Sequence, residues 1–215
     1  PVVCRVHGYE VFTDAPSRID WSVVARVVFV AAHKRDVLLA ARPDLAPKCA
    51  VLRNGVDLSR FTIAPGKQNT RHLAAVGALT HRKGYALLLQ WFHALLREDE
   101  RFRLSIRGDA PDPRYALALR TMIDELGLAS RVTLVTERVE DLNGWLADKS
   151  HLVSASIEES FHLALGEGMA AGLRPLIHAW REAREIWPEE HVFRDAEGFV
   201  ARTTDARYEP ARYRA

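Results

Sequence analysis

Cysteine is scarce, with only Cys4 and Cys49 in 215 residues. They have no metal-ligand spacing and make no disulfide framework, so they read as packing thiols of a reduced protein. Long hydrophobic runs are also missing. Runs such as Val27–Ala32 and Ala86–Leu89 fall far short of the ~20 residues of a membrane-spanning helix, and no signal-peptide pattern opens the chain. These absences point to a cytoplasmic protein, with peripheral contact at the inner membrane face still compatible. Charge of one sign is not in excess: 30 Lys and Arg face 28 Asp and Glu, for a formal net charge of +2 and a pI near 8.8. That is too mild for a nucleic-acid binder, yet it suits an anionic small molecule where a few bases converge. The nine histidines are scattered, with no His-Glu-x-x-His pair, and no Asp-x-Asp pair occurs, so no metal site is expected.

What is present is 48% hydrophobic sequence, enough for one core or for a domain with part of another. Val-rich runs at Val2–His7, Arg26–Ala32 and Lys48–Leu52 predict strands, and His33–Ala41 predicts a helix ended by Pro43. Asn54-Gly55 is a turn signal, and the weakly apolar stretch after it, holding Pro65-Gly66, reads as a linker. Then a rhythm sets in. Strands are expected at His72–Val76, Arg103–Ile106, Val132–Val135, His151–Ser154 and Pro175–His178. Helices are expected at Gly84–Arg97, Pro113–Gly127, Val139–Ala147 and Phe161–Gly172. Alternation of this kind implies α/β architecture with a parallel sheet and ligands at the carboxyl ends of its strands. The expected organisation is residues 1–56 as part of one α/β domain, 57–70 as linker, 71–195 as a Rossmann-like domain, and 196–215 as a segment returning toward the first. The chain opens inside a strand pattern and closes at Tyr213-Arg214-Ala215 inside a helix pattern, so a fragment cut at both ends is expected.

The most informative stretch runs from Ser154 to Gly172. A strand ends, an acidic turn follows, and a helix begins near Phe161. The backbone N–H groups of Ser160, Phe161, His162 and Leu163, with the positive end of the helix dipole, would make an anion site. Glu159 precedes the helix and Glu167 lies within it, so both carboxylates can face the strand-end crevice. Gly166 and Gly168 flank Glu167, and glycine inside a helix is unfavourable by about 1 kcal/mol relative to alanine, which suggests close approach by a ligand or by backbone.

This stretch resembles the Glu-x7-Glu region of retaining GT-B glycosyltransferases, family four. Glu159 and Glu167 keep its spacing, and Phe161, Leu163, Met169, Ala170, Gly172 and Pro175 fall in place. The loop Val76-Gly77-Ala78-Leu79-Thr80-His81-Arg82-Lys83-Gly84 is similar to the family's Val-Gly-Arg…Lys-Gly loop, and Asn54-Gly55-Val56-Asp57 to its crossover between two domains. His7-Gly8 matches a strand-end His near the transferred sugar. The resemblance implies a GT-B fold, with the first domain on the acceptor side and the second binding the nucleotide sugar. It implies Glu167 on the ribose, Glu159 and His7 beside the sugar, and Lys83, with the amides of Phe161, His162 and Leu163, on the diphosphate. Gly77 would let the phosphates approach.

The departures are Ala78 for the family arginine, and Ser160 and His162 for the glycines flanking Phe161. Arg82 is inferred to supply the missing positive charge. The implied activity is transfer of a sugar from a nucleotide-diphosphate donor, with retention, to a carbohydrate or lipid-linked acceptor, as in polysaccharide biosynthesis. No cofactor or metal is implied, and no nucleophile is assigned. Two alternatives stay open: a nucleotide-binding scaffold without turnover, and another GT-B enzyme such as a nucleotide-sugar epimerase. Gly166-x-Gly168-x-x-Ala171 formally matches a dinucleotide fingerprint, but it sits inside a helix pattern rather than on a strand-to-helix turn.

Overall fold

A computed structural model describes residues 1–137 and 140–214, which divide into two units. The first is Pro1–Gly55 with Glu159–Phe161, and the second is Val56–Glu158 with the residues from His162 onward. In the first, β1 (Val2–Val6), β2 (Val24–Phe29) and β3 (Cys49–Val51) form a parallel sheet in that order, with helix α1 (Ala32–Ala41) between β2 and β3. The register sets Cys4 opposite Val27 and Val27 opposite Cys49, so the central strand separates the two thiols. Val27 and Phe29 are fully buried and pack with Val6, Trp21, Val24, Leu38 and Leu45.

The second unit is a six-stranded, wholly parallel sheet in the order β6-β5-β4-β7-β8-β9. Its strands are β4 (His72–Val76), β5 (Arg103–Arg107), β6 (Val132–Val135), β7 (His151–Ser154), β8 (Arg174–His178) and β9 (Val192–Phe193). The helices between and after them are α2 (Tyr85–Glu98), α3 (Pro113–Glu125), α4 (Leu142–Leu146), α5 (Leu163–Ala170), α6 (Ala183–Ile186), α7 (Ala196–Thr204) and α8 (Pro210–Arg214). The chain runs outward from β4 to β6 and then returns to β7 on the other side of β4. Strand order therefore reverses between β4 and β7, the place where open α/β sheets leave a crevice at their carboxyl ends.

Sequence chemistry accounts for these elements. Tyr85, Leu88, Leu89, Phe92 and Leu95 recur at helical spacing and form the buried stripe of α2 against Leu73, Leu104, Ile106 and Leu176. Truncating the fully buried Phe92 to alanine would remove about 3–5 kcal/mol. Pro113 starts α3, and the Asp112 carboxylate accepts from the Arg114 N–H at 2.9 Å as its cap.

Four differences from the sequence expectations have local causes. The helix expected from Phe161 starts at Leu163, because His162 adopts left-handed backbone (φ 62°, ψ 72°) that cannot continue a helix. Helix α7 forms where none was expected: Asp195 caps it by accepting from the Gly198 N–H at 2.8 Å, and the fully buried Phe199 anchors it. Helix α4 is short, with Asp141 accepting from the Gly144 N–H at 2.9 Å; Val139, the expected start of that helix, lies outside the described residues. The stretch read as linker is fastened to the second unit. Phe61 is buried, the Thr62 N–H donates to Asn143 Oδ1 at 3.0 Å, and the Lys67 ammonium donates to the carbonyls of Leu146 and Ala147. Among the described residues no helix is long and apolar enough to cross a membrane.

Candidate functional site

The site is built on the carboxyl edge of the second sheet. At the end of β4, Gly77 takes φ 147° and its N–H donates to the Arg107 carbonyl at 2.9 Å, while its own carbonyl accepts from the Tyr85 hydroxyl at 2.6 Å. A Cβ at Gly77 would lie 2.9 Å from Lys83 Cε, so the lysine side chain is laid across the glycine backbone. A Cβ at Gly108 would lie 1.9 Å from the Gly77 carbonyl oxygen, so both strand ends depend on glycine. The loop then makes a short 3₁₀ turn, His81–Lys83, and exits through Gly84 in left-handed backbone, where a side chain would strike the Ala155 carbonyl at 2.1 Å. Arg82 reaches sideways. Its guanidinium donates to the Glu158 carbonyl at 3.1 Å and pairs with the Glu158 carboxylate at 3.8 Å, while its own carbonyl accepts from the Ile157 N–H. The loop after β4 is thereby clasped to the loop after β7.

His162 stands at the start of α5. Its Nε2 meets the Val76 carbonyl at 3.3 Å, and since a carbonyl only accepts, Nε2 carries the hydrogen. In the neutral ring Nδ1 then accepts from the Ser154 hydroxyl at 2.7 Å. The imidazole, 8% exposed, thus bridges the carboxyl ends of β4 and β7. A non-glycine residue held in left-handed backbone costs about 1–3 kcal/mol, and it sits where the resembled family has glycine. Leu163 is exposed at the first turn, and Glu167 is half-buried one turn on. Burial pushes the Glu167 carboxyl upward from its ordinary range, opposed by the charge of Arg60. The glycines beside Glu167 have a packing reason: a Cβ at Gly166 would meet Val56 at 2.5 Å, and one at Gly168 would meet Leu152 at 2.6 Å. The close approach foreseen there is by side chains and lets α5 lie flat on β7.

A cleft of about 850 Å³ opens over the ends of β4, β5 and β6, lined by Arg60, Gly77, Arg107, Gly108, Thr136 and Glu137 among others. Arg107 is buried, which lowers its pKa from the ordinary guanidinium value, and its guanidinium lies 5.7 Å from the centre of the Trp145 ring. Arg60 and Arg107 escaped the sequence reading. The signal for Arg107 was there, a charge and Gly108 directly after the apolar Leu104 and Ile106 of β5.

His7, Glu159 and Phe161 belong to the first unit. His7 is exposed just past β1, before Gly8, whose φ of 152° and closeness to Ser160 Oγ (3.3 Å from a Cβ placed there) demand glycine. Glu159 is 5% exposed and its carbonyl is bonded to His33 Nε2 at 2.9 Å. The ammonium of the buried Lys34 lies 4.6 Å from the centre of the Phe12 ring.

Comparison with known proteins gives three findings. The family model of glycosyl transferases group 1 matches residues 70–207. The GDP-mannose:cellobiosyl-diphosphopolyprenol alpha-mannosyltransferases of Xanthomonas campestris and Xanthomonas oryzae are 28% and 30% identical over 187 and 189 residues, in each case 82% of this chain and 49% of the relative. The chain thus spans about half the length of the curated relatives it matches. A glycosyltransferase from Rickettsia africae superimposes with a TM-score of 0.80 at 19% identity, over 99% of this chain and 64% of the other. Anabaena HepE, in complex with UDP and glucose, gives 0.75 at 15% identity, over 100% and 69%. At such identities the two structures speak for the fold, which is that of the GT-B glycosyltransferases.

Proposed function

This chain belongs to the glycosyl transferases group 1, and from that premise we propose that it carries the nucleotide-sugar-binding half of a glycosyltransferase that transfers the donor sugar with retention. The observation that carries the reading is the meeting, at the β4/β7 switch point, of Lys83 laid over Gly77, the start of α5, and the arginine-lined cleft. A nucleoside diphosphate fits that edge. Base and ribose occupy the cleft, with Glu167 accepting from ribose hydroxyls, and the diphosphate lies between Lys83 and the first turn of α5.

As the glycosidic bond breaks, negative charge grows on the leaving diphosphate. Lys83 and the backbone amides at the start of α5 stabilise that charge where it develops, which lowers the barrier without a divalent metal. In this reading Arg82 acts mainly by clasping the loops together. Likeness to the Xanthomonas mannosyltransferases favours GDP-mannose as donor and a lipid-linked diphosphate acceptor.

The test is thermal shift and calorimetry with GDP, UDP, GDP-mannose and UDP-glucose. A ligand at 100 times its dissociation constant should raise stability by about 2.7 kcal/mol. Failure of all four to bind would reject the reading. Transfer that EDTA abolishes and Mn²⁺ restores would reject the metal-free mechanism.

A further inference from the structure

Trp180 is 4% exposed, and its indole N–H is a buried donor with no hydrogen-bond partner. An indole N–H can only donate, and leaving such a group unsatisfied costs about 1–3 kcal/mol, so native folds rarely do so without a use for it. Its place in the fold is specific. It follows β8 by two residues, its backbone N–H donating to the His178 carbonyl at 2.8 Å in a tight turn. His178 Nδ1 bonds the Ser156 carbonyl at 2.8 Å, which ties the end of β8 to the loop leaving β7. The Trp180 ring centre lies 6.3 Å from that of His162, inclined by 58°. Among the described residues three non-glycines have positive φ, namely Arg71, His162 and Glu182. Two of these strained positions, His162 and Glu182, stand beside Trp180, one in space and one in sequence. Such strain persists where the surrounding structure enforces it, commonly at ligand sites.

The order of strands along the sheet edge says which part of a ligand arrives there. The cleft covers β4, β5 and β6, and the diphosphate elements stand at β4 and β7. The next strand outward is β8, so a nucleotide sugar laid along this edge brings its sugar to Trp180. A phosphate would call for a cation, whereas a neutral N–H on an apolar ring suits a hydroxyl oxygen on a pyranose.

We propose that the Trp180 indole N–H donates to a hydroxyl of the transferred sugar, with His162 bracing the indole from the β4/β7 side. The inference rests on the nucleotide-sugar reading above and adds a sugar-recognising residue to it. The N–H is covered by its neighbours, so recognition includes a small side-chain displacement as the sugar enters.

The test compares wild type with Trp180→Phe, which deletes the N–H and keeps an apolar ring. Dissociation constants are measured by calorimetry for GDP against GDP-mannose and UDP against UDP-glucose, using whichever pair binds wild type more tightly. Wild type is expected to gain affinity from the sugar. Trp180→Phe is expected to bind the bare diphosphate within about two-fold of wild type and to lose about five- to ten-fold for the nucleotide sugar. Its melting temperature without nucleotide should equal or exceed that of wild type, because an orphan donor is gone. Benzothienylalanine at position 180, with sulfur in place of N–H and the same outline, should reproduce the loss if the smaller ring disturbs folding. Equal losses for diphosphate and nucleotide sugar, or no loss for either, would overturn the assignment while leaving the wild-type binding intact. Wild type that binds none of the four compounds would overturn the functional reading, and this inference with it.

Discussion

Lowering the pH should destabilise the second unit well before its carboxylates are protonated. His72 on β4 bonds Ser105 Oγ at 2.8 Å and faces Asp148 at 3.3 Å. Burial, reinforced by Lys149 and Arg103 and opposed by Asp148, pulls its pKa down to about 4. His151 on β7 is fully buried, with Nδ1 against Ser150 Oγ at 2.9 Å, and burial with the charge of Arg174 pulls its pKa down to about 3. In the unfolded chain both titrate near 6.5. Below that pH the unfolded state binds the protons and the folded state does not, so stability falls as pH drops. Between pH 6.5 and 5 the linkage is about 1.36 kcal/mol per unit per group, or ~2 kcal/mol each and ~4 kcal/mol together, against a usual total of 5–15 kcal/mol.

Arg101 and Arg71 hold the Asp99 carboxyl well below the usual carboxylate range, so its contribution is lost only at still lower pH and does not confuse the window. Urea unfolding followed by tryptophan fluorescence at pH 7.5, 6.5, 5.5 and 5 should show the midpoint falling by about 2 M, for an m-value near 2 kcal/mol/M. His151→Leu should remove about half of the fall, with Ser150 keeping Asn69 and the His72 carbonyl as partners. A midpoint that is flat from pH 7.5 to 5, or a full slope in His151→Leu, would refute the reasoning.

Three substitutions probe the site directly. Glu167→Gln should weaken nucleotide binding about ten-fold in calorimetry, the loss of one charge-assisted hydrogen bond; an unchanged affinity would remove Glu167 from the ribose. Lys83→Ala should weaken nucleoside diphosphates far more than nucleosides, since an ammonium acts as a point charge on phosphate; equal losses would make Lys83 structural. Gly108→Ala should destabilise the second unit by at least about 1–3 kcal/mol, because its methyl would lie 1.9 Å from the Gly77 carbonyl; a urea midpoint equal to wild type would show that the two strand ends can part.

The alternation of Val-rich runs and amphipathic stripes made the second sheet readable in advance, since burial on both faces leaves continuous apolar strands. Lys83, Gly77 and Glu167 were named from the resemblance of their loop and helix to a family pattern; the structure lays Lys83 across Gly77 and sets Glu167 half-buried within α5. Arg60 was not named, because it lies in a turn, Leu58–Arg60, whose position is set by tertiary contacts that Arg214 makes with the Leu58 and Phe61 carbonyls. The glycines of α5 were legible as close contacts, but not as contacts with Val56 and Leu152. The role of Trp180 was hidden for a related reason: its isolation from acceptors is a property of packing, which no local pattern encodes.

The two cysteines offer a different kind of handle. Both lie in the first unit, on opposite sides of β2 and at one register. Two strand spacings put their backbones about 9.6 Å apart, beyond the ~7 Å a disulfide can span. Burial raises the pKa of both thiols, so the thiolate that alkylating reagents attack is scarce while the sheet is closed. An oxidised Cys4–Cys49 bridge within one chain would therefore be a fossil of an opened sheet. Thiol capture that speeds up under denaturant becomes a signal from the first unit, where both thiols lie.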